Sequence, residues 1–396
     1  MEFKKKVLAN GLTILHEKRD VPVTTVMIAT KYGYSYELEK EKGVAHFLEH
    51  LCFKGTKKRD VKQIAAEVEK VGGILNAFTH EEATAYYVTL PSEHFGTAMD
   101  VMFDVYFNPI FPEEEVEKEA NVICEEIKMY KDNPQRHVFD KIKEELYEKP
   151  FGISGAGVEA VVRKMKREQI AEKHKRYYHP KNTILIVVGN NGFDEVEKLA
   201  KKLTVKRDGE VPKLPKIKKK ISGGREVRKE LQQTSLALGV HIPIDNEKEK
   251  YVADLFSTIL GSGMSSKLFS EVREKRGLVY TIKTDLDIGK NYAYLVIYAG
   301  TEPSKTEEVI RISKEEYAKM ANLTEGELNE GKVQIVGRRD VESEGSNATA
   351  INLLLEEIEG NAEDYYRYEE KINSVTLDDI KKMAGRTEFS SFVLGP

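Results

Sequence analysis

Cysteine is nearly absent. Only Cys52 and Cys124 occur in 396 residues, too few for a disulfide framework, so a reducing compartment fits. Long apolar runs are missing too: nothing approaches the roughly 18 apolar residues of a membrane span. The opening "MEFKKKVLANGLTIL" also lacks the apolar centre of a signal peptide. A soluble, cytoplasmic protein with no membrane partner is the expectation. Nor does one sign of charge dominate. Lys and Arg number 62 against 66 Asp and Glu, a formal net charge of -4, which gives no reason to expect nucleic acid as a partner.

What is present is one pattern written twice. "EVEKVGGILNAFTHEEATAYYVTL" (67–90) and "EVREKRGLVYTIKTDLDIGKNYAYLVI" (271–297) align at an offset of 204, with Glu67, Val68 and Gly73 matching Glu271, Val272 and Gly277. Each ends a charged helical stretch at Gly and turns to period-two alternation, as a strand does. Upstream, 24–33 and 233–243 both read as strands rich in apolar and β-branched residues. Late in each half come "NTILIVVGN" (182–190) and "FSSFVLG" (389–395), again strands, while 113–132 reads as a long amphipathic helix. The fold class expected is α+β: two similar domains from an internal duplication, each an antiparallel or mixed sheet with helices packed on one face. The boundaries drawn are 1–208, a Pro- and Lys-rich linker at 209–226, and 227–396.

The copies diverge at one place that bears on chemistry. The first carries "HFLEH" at 46–50 where the second has "LFSTIL" at 255–260, so His46, Glu49 and His50 occur in one copy only. On a helix, His46 and His50 project from one face and suit a single metal ion. The order His-x-x-Glu-His is that of the inverted zincins. Zinc needs a third protein ligand, and Glu119 and Glu126, two turns apart on the 113–132 helix, share a face. Val122 and Ile123 are expected to turn that helix toward the core. The competing reading is two ordinary surface helices with solvated side chains.

"HFLEHLCFKGT", "NAFTHEEATAYY" and "EANVICEEIKMYKDNP" resemble, in order and spacing, the pitrilysin or insulinase family of zinc metallopeptidases, in its short two-domain form. In that family His-x-x-Glu-His is followed about 75 residues later by a ligand Glu, with another important Glu seven residues before it. The resemblance therefore implies that His46, His50 and Glu126 bind one Zn²⁺ per subunit. Glu49 would be the general base, and Glu119 would orient a ligand histidine. "MSSKLFSEVREKRGLVY" (264–280) resembles a further family signature, in which Arg273 and Tyr280 would grip the substrate carbonyl. Asn76 and Ala77 would begin an edge strand that holds extended peptide by backbone pairing.

The activity so implied is zinc-dependent endopeptidase action on unfolded peptides enclosed in a chamber. The alternative is a catalytically silent relative serving as a structural or peptide-presenting subunit. Family chambers contain four such domains and this chain supplies two. A homodimer with composite active sites is therefore expected, a heterodimer with an inactive relative being the other possibility.

Overall fold

The computed structural model describes residues 2–396. Eleven strands form two sheets among these residues. The first contains β1 (Glu2–Val7), β2 (Thr13–Lys18), β3 (Val23–Thr30), β4 (Ile74–Thr79), β5 (Thr84–Pro91) and β6 (Thr183–Gly189), in the order β1-β2-β6-β3-β5-β4. The second contains β7 (Gly223–Val227), β8 (Thr234–His241), β9 (Val279–Gly289), β10 (Tyr292–Thr301) and β11 (Ser390–Gly395), in the order β7-β11-β8-β10-β9. Apart from β1, the orders are the same strand for strand. The one parallel pair falls at the same place in each, β2 with β6 and β11 with β7. Two α+β units of one topology bear out the expected duplication.

The helices of the first half are α1 (Val44–Cys52), α2 (Val61–Glu69), α3 (Phe95–Phe107), α4 (Glu113–Asp132), α5 (Pro134–Leu146), α6 (Glu159–Val162), α7 (Arg167–Tyr177) and α8 (Phe193–Leu203). The second half adds α9 (Lys248–Gly261), α10 (Thr306–Lys319), α11 (Glu325–Glu342) and α12 (Ser346–Glu359). Alternation along the strands sends Ile14, Val26, Ile28 and Val88 into a core shared with α1, α2, α3 and α8. Their neighbours Leu15, Met27, Ala29 and Ile186 face the other way. All seven residues of β6 are buried, as a central strand covered on both faces requires.

That second covering goes beyond the expectation of helices on one face, and it comes from an unexpected place. Ala350, Leu353, Leu354 and Ile358 of α12 pack on Leu15, Met27 and Ile186, although α12 lies in the second half of the sequence. Reciprocally, Val138, Ile142 and Leu146 of α5 pack on Val296, Tyr298 and Phe392 of the second sheet. The compact units therefore interleave: 1–127, 155–215 and 342–365 form one, and 128–154, 216–341 and 366–396 the other. Each sheet has a second apolar face that must be buried, and each is served by the helix that follows the long helix of the other copy.

Within the first unit, His174 of α7 is buried and its Nε2 lies 2.8 Å from the Tyr106 carbonyl. Burial depresses the imidazole to about 3, the Tyr106 bond opposing only in part. Native His174 is thus neutral, whereas the unfolded chain takes up a proton below about 6.5. Its contribution is present in full above that value and is lost as pH falls toward 3, at about 1.4 kcal/mol per pH unit. His174→Gln should flatten the fall in urea midpoint between pH 6 and pH 4 by about one proton. An acid limb as steep as in the wild type would contradict this assignment.

Candidate metal centre

α1 is placed by its first turn. Gly43 precedes it with φ +105°, a left-handed conformation that glycine adopts without strain. A Cβ on Gly157 would lie 2.8 Å from the Gly43 Cα, so only two glycines permit this approach. Both oxygens of buried Glu37 accept from the helix start, from Gly43 N–H at 3.0 Å and Ala45 N–H at 2.7 Å, satisfying donors that lack intrahelical partners. The approach also brings the Ala156 carbonyl within 3.1 Å of His46 Nδ1.

The arrangement fixes both tautomers. With Nδ1 donating to Ala156, His46 presents an unprotonated Nε2. His50 Nδ1 donates to Glu119 Oε2 at 2.8 Å, which leaves its Nε2 as the position a metal would take in place of a proton. The two Nε2 atoms are 3.2 Å apart, and Glu126 Oε2 lies 3.5 Å from one and 3.6 Å from the other. A tetrahedral zinc site with bonds of about 2.0–2.1 Å has ligand–ligand edges of about 3.3–3.4 Å. The triangle fits that ion without rearrangement. His46, His50 and Glu126 form one of two groups of potential metal ligands found among the described residues.

His50 has a strong hold on its proton. Burial would lower His50, but hydrogen bonds to Glu119 and Glu126 and the charge of Glu49 outweigh it and lift His50 to about 9. Burial likewise would raise Glu119, yet His50 and Lys54 hold it below the usual carboxylate range. Lys54 Nζ stands 2.7 Å from Glu119 Oε1. Sequence reading missed this lysine, which stands two residues past the end of α1. Loading a metal must displace the His50 proton.

Glu119 is thus held between His50 and Lys54. Glu119→Gln should weaken zinc binding by about 10- to 100-fold, the usual cost of losing such a partner. Competition against a chromophoric chelator measures it, and an unchanged affinity would remove Glu119 from the centre.

α4 carries both carboxylates because Val116, Glu119, Ile123 and Cys124 form its buried face, and Glu126 continues it half-buried. Val122, expected to face the core with Ile123, is instead 47% exposed. It stands one residue, about 100°, around the helix from Ile123. Glu49 lies outside the ligand triangle and accepts a hydrogen bond from Thr79 Oγ1, which ties α1 to the end of β4. Asn76 and Ala77 occupy the middle of β4 rather than its start. β4 pairs only with β5 and forms the sheet edge, leaving one row of backbone groups available to a further strand.

Arg273 and Tyr280 belong to the second unit. Arg273 is exposed on a π-helical turn, Phe269–Glu274, with its guanidinium 4.7 Å from the centroid of the Phe269 ring. Tyr280, on β9, is 47% exposed. Its ring lies against Gly300, where a Cβ would meet it at 2.2 Å. In the second unit α9 stands where α1 stands in the first, and its sequence KEKYVADLFSTILG offers no histidine.

Residues 12–157 match the family described as "Insulinase (Peptidase family M16)", and residues 164–335 match "Peptidase M16 inactive domain". An "Uncharacterized zinc protease" of Rickettsia felis is 33% identical over 410 residues, covering 100% of this chain and 98% of the relative. The "Uncharacterized zinc protease YmxG" of Bacillus subtilis is 29% identical, covering 96% and 95%. Among solved structures, a protease from Helicobacter pylori superposes with a TM-score of 0.92 at 23% identity, covering 100% of this chain and 99% of that one. A peptidase M16 inactive domain from Pseudomonas fluorescens gives 0.90 at 20%, covering 100% and 98%. No helix among the described residues is long and apolar enough to cross a membrane. With a curated relative matched along its whole length and both family domains in order, the chain belongs to the insulinase family of peptidases, family M16.

Proposed function

We propose that the chain is a zinc-dependent endopeptidase acting on extended, unfolded peptides. The observation that carries this reading is the triangle of His46 Nε2, His50 Nε2 and Glu126 Oε2, with edges of 3.2, 3.5 and 3.6 Å, beside a carboxylate outside the ligand set. A zinc ion bound there would acidify a water and polarise the scissile carbonyl. Glu49 takes the proton from the attacking water and returns it to the leaving nitrogen. Ala156 and Glu119 hold the two imidazoles in the ligating tautomer. The free edge of β4, with Asn76 and Ala77 at its centre, receives the peptide as an added strand. Pairing through the backbone ignores side chains, so the substrate has to be unfolded.

Arg273 and Tyr280 contribute a cation and a phenol that stabilise the developing oxyanion. The working unit is a homodimer in which each zinc-bearing unit meets the Arg273/Tyr280 unit of its partner, with one zinc per subunit. The test is metal analysis combined with digestion of a mixed pool of unfolded peptides. Internal cleavage that a chelator stops and zinc restores is expected. A protein that holds zinc and cuts no unfolded peptide at any temperature would instead be a silent, peptide-presenting relative.

A further inference from the structure

A cavity of about 420 Å³ opens in the first unit between the lead-in to α1, α6 and α7, and none of its lining residues belongs to the metal centre. Val44, Ala160, Val161 and Met165 give it an apolar wall. Its charged residues are three lysines and two glutamates. Lys173 is already committed to Glu41 at 2.9 Å. Lys40 and Lys164 are exposed, and neither forms an ion pair among the described residues, so together they outweigh Glu172. A half-open cavity of this size, with one apolar wall and a surplus of cationic groups at its margin, suits an amphipathic anion.

The same walls reach His46 by two routes. Val44 opens α1, two residues before His46. Val161 lines the cavity, while its neighbour Val162 seals the contact of the two glycines, its Cγ2 lying 3.0 Å and 3.2 Å from Cβ positions built on Gly43 and Gly157. That contact carries the Ala156 carbonyl that sets the His46 tautomer. A ligand pressing on Val44 and Val161 therefore bears on the elements that orient a metal-binding imidazole.

We propose that this cavity is an effector site for a carboxylate carried on an apolar body, and that its occupation changes the metal affinity of the centre. The coupling clause rests on His46 being a ligand; the binding clause does not. A fatty acid and the carboxyl end of an apolar peptide share this chemistry. Octanoate and N-acetyl-Leu-Phe, each against its amide, separate those sources in calorimetric titrations of the full-length, metal-free protein. At least one acid should saturate a single site and bind several-fold tighter than its amide. Ala160→Trp fills the cavity from an exposed position, and Lys40→Glu with Lys164→Glu inverts its charge. Both variants should lose that binding while melting like the wild type.

Zinc affinity, read by chelator competition, should shift about fivefold or more with the acid bound, as coupled sites commonly do. It should not shift in Ala160→Trp, where an acid acting directly on the metal would still act. Absence of saturation, equal binding of acids and amides, unchanged binding in both variants, or a zinc affinity indifferent to the bound acid would each overturn the inference. Failure of peptide cleavage leaves the binding arm untouched and counts against the peptidase reading alone.

Discussion

Glu49→Gln is expected to abolish peptide hydrolysis while the protein keeps its zinc. Gln is nearly isosteric and still offers an oxygen to Thr79 Oγ1, the partner Glu49 has now, so the tie between α1 and β4 survives. His46 Nε2, His50 Nε2 and Glu126 Oε2 are untouched, since Glu49 is not a member of that set. What the variant loses is a group able to take and return a proton. General-base assistance is typically worth about 10²- to 10⁴-fold, and the loss should fall on kcat, because the proposed function has the peptide held elsewhere, by backbone pairing. Zinc stoichiometry, thermal melting and kcat on an unfolded peptide decide the matter. Activity within a few-fold of wild type would assign the base to another residue, and lost zinc would make Glu49 a ligand.

The parts of this design that were legible in sequence are those that rest on one element. His46 and His50 lie one turn apart on a single helix, and Glu119 and Glu126 two turns apart on another, so spacing alone puts each pair on one face. The strands announced themselves by period-two alternation, and the same order in both sheets follows from the same pattern in both halves. What stayed hidden depends on which elements meet. The Ala156 carbonyl that fixes His46 is a backbone group with no sequence signature, and it arrives only because Gly43 and Gly157 can touch. The apolar faces of α5 and α12 say that each is buried. They do not say that each serves the sheet of the opposite half, because amphipathicity specifies a face and no partner. Lys54 lies just past the end of α1, where helical spacing places no side chain, and it looked like any solvated lysine.

Mixing two inactive variants should restore activity if the site is shared between subunits. In a Glu49→Gln homodimer every zinc-bearing unit lacks its base, and in an Arg273→Ala homodimer every site lacks the guanidinium. A hybrid brings the intact zinc unit of the Arg273→Ala chain to the intact Arg273 of the Glu49→Gln chain, while its second site is doubly defective. Equal amounts, freely exchanged, give hybrids as half of all dimers. Activity should therefore return to about a quarter of wild type. The exposure of Arg273 and Tyr280 means that neither substitution empties a core, so both variants should fold. Exchange is verified by mass on differently tagged chains. Verified exchange without recovery would place both motifs in one subunit's site or remove Arg273 from the chemistry. Recovery in the Tyr280→Phe pairing as well would extend the shared site to the phenol that lies against Gly300.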